Sequence, residues 1–303
     1  MAHSITLAKE YMAELDKVYK YVSKTAVLDT PAAQIRPGTK ANEVLIAKMS
    51  LQGLGEYDKA TGYVSGDETL TWETLQLTQD RGRKFNIDAM DNLETSMISF
   101  GMLAGEFIRT KVVPEFDAYR MASYFASAGS TTSADFTTGA EVLAAIDAAM
   151  LAMDNAEVPE EGRILFLSTA CASLLKGVAT LTRNVGQVDD GSINRDAKGI
   201  DLIKTIVKMP PTRFYTAITQ YDGSSSGQEA GGYIKNASTG KDLNFQIIHP
   251  SAVLQTVKHT VNKIITPEDN QTSDGWLYFY RAYHDALVYD NKTDGIYAHY
   301  KTT

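Results

Sequence analysis

Gln79-Asp80-Arg81-Gly82-Arg83-Lys84-Phe85-Asn86-Ile87-Asp88, with Asp91-Asn92-Leu93-Glu94-Thr95 soon after it, decides how this chain is put together. The first run reads as a charged turn centred on Gly82. The second reads as the start of a helix that continues to about Ala128. Asp91 stands as N-cap and Glu94 as its N3 partner, the spacing of a capping box. Leu93, Met97, Phe100, Ala104, Phe107, Ile108 and Val112 then recur at three- and four-residue steps, the mark of one buried helix face. Pro114 is expected to kink or divide the helix, because it removes a backbone donor and clashes with the preceding turn. Gly129 and the Ser/Thr residues after it end the helix.

A helix over residues 92–125 is about 50 Å long at ~1.5 Å rise per residue. A compact chain of 303 residues is itself only about 50 Å across. One helix therefore crosses the whole molecule, and its neighbours in sequence do not close around it into one ball.

Thr69-Leu70-Thr71-Trp72-Glu73-Thr74-Leu75-Gln76-Leu77-Thr78 reads as a strand. It pairs with a strand beginning Val44-Leu45-Ile46, across a turn-rich segment over 58–68, to make a long hairpin. Leu70 and Trp72 share one phase, while Leu75 and Leu77 share the other. A slip at Glu73-Thr74 implies a bulge or strong twist, since side chains alternate with period two. No further strand is evident locally, and a lone hairpin is marginally stable in water. The hairpin therefore needs a partner surface, and Tyr57, Trp72, Leu75 and Leu77 are its candidate contacts with a neighbouring subunit. Residues 4–24 carry a helical apolar stripe that includes Tyr11 and Leu15, and 25–42 are loop-like. That combination reads as an arm whose apolar face also needs a partner.

Downstream, Thr138 and Glu141 form another capping box at the head of a helix over 138–155, with Leu143, Ile146, Met150 and Met153 as its stripe. Ile164-Leu165-Phe166-Leu167 reads as a buried strand, followed by a short helix to Lys176 with Gly177 as its cap. A polar loop spans 183–199. Strands are predicted over 200–208, 213–217, 243–249, 276–289 and 296–300, with a Gly/Ser-rich surface excursion over 221–242.

Composition narrows the function. Net charge is -8 and the pI about 5.2, unlike the basic surface of proteins that grip nucleic acid. Cys171 is the only cysteine, so intrachain disulfides are impossible and a reducing compartment is expected. Residues 1–10 lack the apolar core of a secretory signal, and no apolar run approaches the ~18–20 residues of a membrane span.

Catalytic motifs fail on context. Gly223-Ser224-Ser225-Ser226-Gly227 matches a nucleophile elbow in letters, but not the strand-to-helix turn that activates the serine. Thr239-Gly240-Lys241-Asp242 lacks the upstream glycine and the Ser/Thr of a phosphate loop. The run from Asp290 has Lys292 and Lys301 where a calcium loop needs ligands. The five histidines show no metal-binding spacing. No catalytic, cofactor or metal residue is expected. Arg81, Arg83 and Lys84 are assigned to structural ion pairs, within the subunit or with a neighbour, in preference to nucleic acid. Local pairing with Asp80, Asp88, Asp91 or Glu94 is the simplest arrangement.

The order of parts resembles the major capsid protein of tailed bacteriophages, the Hong Kong phage-type fold. The residues that carry the resemblance are 79–88 and 90–95 as quoted. With them goes the helix segment Ala104-Gly105-Glu106-Phe107-Ile108-Arg109-Thr110-Lys111-Val112-Val113-Pro114-Glu115-Phe116-Asp117-Ala118-Tyr119-Arg120. Weaker matches are Val158-Pro159-Glu160-Glu161-Gly162-Arg163, Phe245-Gln246-Ile247-Ile248-His249-Pro250 and residues 285–296.

The resemblance implies an α+β capsid-type fold. Its parts are an N-terminal arm (1–42), an extended hairpin loop (43–88), a peripheral-domain spine helix (89–129), a mostly axial domain (130–242) and a return to the peripheral domain with C-terminal strands (243–303). It implies a non-enzymatic shell protein that self-assembles through hexamers and pentamers into an icosahedral head around double-stranded DNA, bound without sequence specificity. Scaffolding, portal and decoration proteins are the partners it suggests. The virion is the location, with assembly in the host bacterial cytoplasm and no membrane involved. Some relatives carry a helical scaffolding segment before the arm; little precedes the hairpin here, which implies a separate scaffold or none if the chain is complete and leaves the point open if it is processed. Some relatives cross-link through a lysine in the extended loop and an asparagine on a neighbour; Lys59 lies at a matching loop position, but no motif identifies its partner, so no cross-link is assigned. A host-encoded nanocompartment shell of the same fold is the alternative reading, and a soluble α+β enzyme with an acidic pocket is a third.

Overall fold

A computed structural model describes residues 23–30, 36–37, 43–60, 62–88, 98–178, 203 and 205–302. The helix expected over 4–24, with Tyr11 and Leu15, the cap at Asp91 and Glu94, and the polar loop over 183–199 fall outside the described residues, apart from residues 23–24.

Strands β1 (Arg36–Pro37), β2 (Glu43–Leu51) and β3 (Glu68–Gln76) form an antiparallel sheet in that order. The β2–β3 ladder runs unshifted from Glu43↔Gln76 to Leu51↔Glu68, so the bulge expected at Glu73-Thr74 is not there. The phase change has another cause: the strand stops at Gln76, and Leu77 belongs to the joint that follows. The third strand, in a stretch read as loop, pairs with Val44 and Leu45. Among the described residues no third strand bonds the ladder beyond them.

The charged run is strand β4 (Gln79–Asp88), not a turn. Gln79, Arg81, Phe85 and Ile87 occupy its half-buried side, and two inward positions are filled by charged or polar groups, which hides the period-two pattern. Gly82 lies opposite Arg281. A Cβ there would stand 2.8 Å from the Tyr280 carbonyl oxygen, so the glycine permits close strand approach instead of a turn.

The long helix follows as α1 (Ile98–Phe107), a π-helical turn (Ile108–Val112) and α2 (Val113–Ala126). Pro114 does not divide it. Val113 N–H bonds the Ile108 carbonyl five residues back, and the wider turn sets Pro114 in the first turn of α2, where a missing donor is tolerated. Strand β5 (Ser130–Ser133) comes next. Helix α3 (Gly139–Asn155) has the capping box anticipated at Thr138 and Glu141. Strand β6 (Ile164–Ser168), helix α4 (Thr169–Leu175) and strand β7 (Thr205–Met209) continue the chain.

The strand predicted over 213–217 is replaced by a 3₁₀ turn at Pro211–Arg213 and one isolated bridge, Tyr215↔Asp242. The paired prolines Pro210 and Pro211 fix φ and remove ladder donors. The Gly/Ser excursion holds a small hairpin of β8 (Ile218–Gln220) and β9 (Tyr233–Lys235). Strands β10 (Leu243–Ile248), β11 (Val253–Ile265), β12 (Gly275–Val288) and β13 (Ile296–Tyr300) complete the order.

Two sheets build the body. The five-stranded one has the order β5-β13-β10-β6-β7, and the other has β11-β12-β4. Strands β6 and β10 are buried along their whole length. Leu165, Leu167, Phe245 and Ile247 pack under α3 and α4, while Ile164, Phe166 and Ile248 pack under Met121 and Tyr124 of α2. The first half of the long helix lies on the other sheet, where Ile108, Val112 and Phe116 meet Tyr278 and Tyr280. At ~1.5 Å per residue, 98–126 spans about 43 Å and ties both sheets together. The division drawn at residue 242 does not separate sheets, since β10 and β13 sit between β5 and β6.

Candidate functional site

The exposed apolar side chains concentrate on the hairpin. Leu54 is 107% exposed, Tyr63 90%, Val64 70%, Tyr57 58%, Leu70 55% and Trp72 46%. Tyr57 and Tyr63 meet edge to face at 4.9 Å across the tip, an arrangement that stabilises an aromatic pair. Leu75 pairs with Val44 in the ladder.

The root of the hairpin is fixed. Leu77, proposed above as an intersubunit contact, is instead 2% exposed and packs with Val44 and Leu254 inside its own chain. Tyr283 donates its hydroxyl to the Leu77 carbonyl at 3.0 Å. Asp285 accepts from Thr78 N–H and hydroxyl at 2.8 and 2.9 Å, and from the Tyr119 hydroxyl at 2.8 Å. Burial, reinforced by Asp285, pushes the Tyr119 hydroxyl up to about 12, so it remains a donor to that carboxylate.

The basic residues of β4 pair inside the chain, with partners far away in sequence. Arg81 Nε donates to Glu115 Oε1 at 2.6 Å. Arg83 donates to the Glu229 carbonyl at 3.1 and 3.2 Å. Lys84 stands 5.7 Å from the Phe279 ring centre. Asp80, a candidate partner for them, bonds Arg281 across the sheet. These contacts draw the β8–β9 hairpin against β4 and the long helix. Between the three lies a groove of about 750 Å³, lined by Phe85, Phe107, Lys111, Tyr221 and Tyr233 among others.

A buried polar clasp ties the N-terminal segment to the long helix. Asp117, wholly buried, accepts from Ser23 Oγ, Thr25 Oγ1 and the backbone N–H groups of Lys24 and Thr25 at 2.8–3.3 Å. Arg213 reaches the same carboxylate at 3.2 Å, and buried Arg120 donates to Thr25 Oγ1 at 2.8 Å. Leu28 then enters the core beside Met121 and Tyr124. The point from which the N-terminal segment departs is therefore set.

The Gly/Ser loop does not have the geometry of a nucleophile elbow. Asp222 accepts from the Ser224 and Ser225 N–H groups and the Ser225 hydroxyl, which holds its carboxyl down at about 2. Among the described residues no group of three or more His, Cys, Asp or Glu could hold a metal ion. Among them, too, no helix is long and apolar enough to cross a membrane.

No protein-family model matches the chain, and no curated protein matches its sequence. Solved structures match its fold. The mature capsid of bacteriophage PhiM1 superposes with a TM-score of 0.60 at 13% identity, over 86% of this chain and 82% of that one. The capsid structure of Cyanophage P-SCSP1u gives 0.59 at 12% identity, over 91% and 87%. A virus-like particle from Pyrococcus furiosus gives 0.51 at 9% identity, over 96% and 98%. Superposing on them over most of its length, the chain has the α+β capsid-type fold of those particles.

Proposed function

We propose that this chain is the major capsid protein of a tailed phage. It assembles through hexamers and pentamers into an icosahedral shell around double-stranded DNA, and it works by association, with no catalytic step. The observation that carries this reading is the β2–β3 hairpin, rooted firmly in the body yet exposing Leu54, Tyr57, Tyr63, Val64, Leu70 and Trp72, on a chain with a capsid-type fold.

Electron microscopy of the expressed protein tests the proposal: rings, tubes or closed shells are expected. A chain that stays near 33 kDa by light scattering, with hairpin and arm intact, refutes it. The match to the Pyrococcus furiosus particle over nearly all of both chains favours a second reading, a host-encoded nanocompartment. Nuclease-protected DNA in particles from the native source supports the phage head; protein cargo without DNA supports the compartment.

A further inference from the structure

We infer that the groove between β4, the long helix and the β8–β9 hairpin binds a nucleoside phosphate, either free or as one unit of a single strand. The inference goes beyond the shell-building reading and does not depend on it.

Aromatic rings come to the groove from all three elements. Phe85 of β4 and Phe107 of the long helix meet edge to face at 4.8 Å, and Tyr221 and Tyr233 line it from the β8–β9 hairpin. All four residues are half-buried, so packing holds the rings while leaving part of each accessible. Stacking on such rings suits any base, because every base has a π-face. The groove, at about 750 Å³, lies within the ~300–1,000 Å³ of pockets that take a drug-sized molecule. That is room for a nucleotide with its phosphate and none for a duplex.

Charge narrows the ligand to an anion. In the groove, Arg81 is matched by Glu115, Arg213 by Asp117 and Lys235 by Asp242. Arg83 and Lys111, both exposed, have no carboxylate partner among the described residues. Arg83 turns Nη1 and Nη2 to one acceptor, the Glu229 carbonyl, which uses part of a five-donor fork whose geometry suits phosphate. Asp222, the other carboxylate lining the groove, is turned onto the Ser224 and Ser225 N–H groups at 2.8 Å each. On a chain of net charge -8, this cationic patch opposes the field of the whole molecule. Cations beside stacking rings are the combination that holds single nucleotide units.

One loop brings the rings and the cation together. Tyr221 and Tyr233 stand at its two feet, where Tyr221 N–H bonds the Gly232 carbonyl at 2.9 Å and the Tyr233 hydroxyl donates to the Thr212 carbonyl at 2.8 Å. Between them the loop supplies the Glu229 carbonyl that orients Arg83. Gly223 and Gly231, both at positive φ, let it pass close to the guanidinium: a Cβ on either would stand 3.0 or 3.2 Å from Arg83 Nη1. Glycine is the residue that allows both that backbone and that approach.

Equilibrium dialysis on the full chain tests the inference. The probes are deoxyadenosine monophosphate, deoxyadenosine, inorganic phosphate, and oligodeoxyadenylate either single-stranded or paired with oligothymidylate. Saturable binding of the monophosphate is expected, with deoxyadenosine and inorganic phosphate each weaker by about tenfold or more. Tyr221→Ala and Lys111→Gln should each weaken the monophosphate about tenfold, the loss of one contact, with unchanged urea midpoints. Lys111 is exposed on the helix, so its variant keeps the test valid if the ring truncation disturbs the loop. Single-stranded oligodeoxyadenylate that binds more tightly than the monophosphate, with the same losses in both variants, identifies a strand as the source; the reverse order identifies the free nucleotide. No saturable binding of either, a duplex that binds as well as the single strand, inorganic phosphate that binds as well as the monophosphate, or a Lys111→Gln chain that binds as wild type overturns the inference. Each of these leaves the shell reading standing.

Discussion

Trp72 and Leu77 lie five residues apart in one apolar run, yet they face opposite fates. Leu77 sits in a core with Val44 and Leu254, while Trp72 stands 46% exposed on the ribbon. Leu77→Ala should therefore cost the subunit ~2–5 kcal/mol, the range for a buried leucine truncation. Trp72→Ala should leave subunit melting near wild type and weaken assembly. Denaturant melts and light scattering on both variants separate the two roles; equal destabilisation with normal particles would show that Trp72 is a core residue. The sequence could not tell these residues apart, because what separates them is where β3 ends. Asp117 is a similar case. Its place on the helix is legible, but nothing local announces that residues 23–25 fold back onto it across more than ninety positions. Asp117→Asn removes the charge that Arg213 faces, at a cost of ~3–5 kcal/mol for a broken buried pair. Trypsin should then cut after Lys24, an exposed residue whose backbone N–H is now held by that carboxylate, severalfold faster than in wild type.

Elements were legible where their signals are local. The capping box of α3 depends on two residues three apart, and it forms as read. The long helix follows from its period. Strand β4 was hidden because its inward positions hold Gln79 and Arg81, whose partner Glu115 comes from the helix. The π-turn was hidden because a proline by itself signals a break; what keeps the helix continuous is one extra residue in the turn before it. Gly129 shows the same limit. It reads as a helix stop, but it sits where the chain crosses the Thr293-Asp294 turn, and a Cβ would come within 2.5 Å of Asp294 Oδ1 and 2.8 Å of its backbone nitrogen. Gly129→Ala should thus destabilise the subunit by ~1–3 kcal/mol through forced backbone shifts, read as a lower urea midpoint with unchanged slope.

Across the whole molecule, each body sheet carries a buried histidine. His284 lies 3.7 Å, ring centre to ring centre, from Phe116, and burial, with Arg120 and Arg81 nearby, lowers it to about 3. Burial lowers His299 to about 4. Both folded values lie below the usual 6.5, so under pH 6.5 the unfolded chain takes up protons that the folded one refuses. Stability is full above that pH and falls as it drops toward 4 and then 3. Urea midpoints should decline between pH 7 and 4.5, and His284→Phe should flatten much of the slope. The hairpin's root has a mechanical consequence of its own. Asp285, Tyr119, Tyr283 and the Leu77 pocket hold the joint in a vice, whereas among the described residues two ladder-bonded strands alone run beyond Leu45. The hairpin is thus a cantilever, clamped at its root and free to take up the larger twist that two-stranded ribbons adopt. Neighbours meeting at different dihedral angles would be accommodated by winding or unwinding that strip, while the bodies it joins keep one shape.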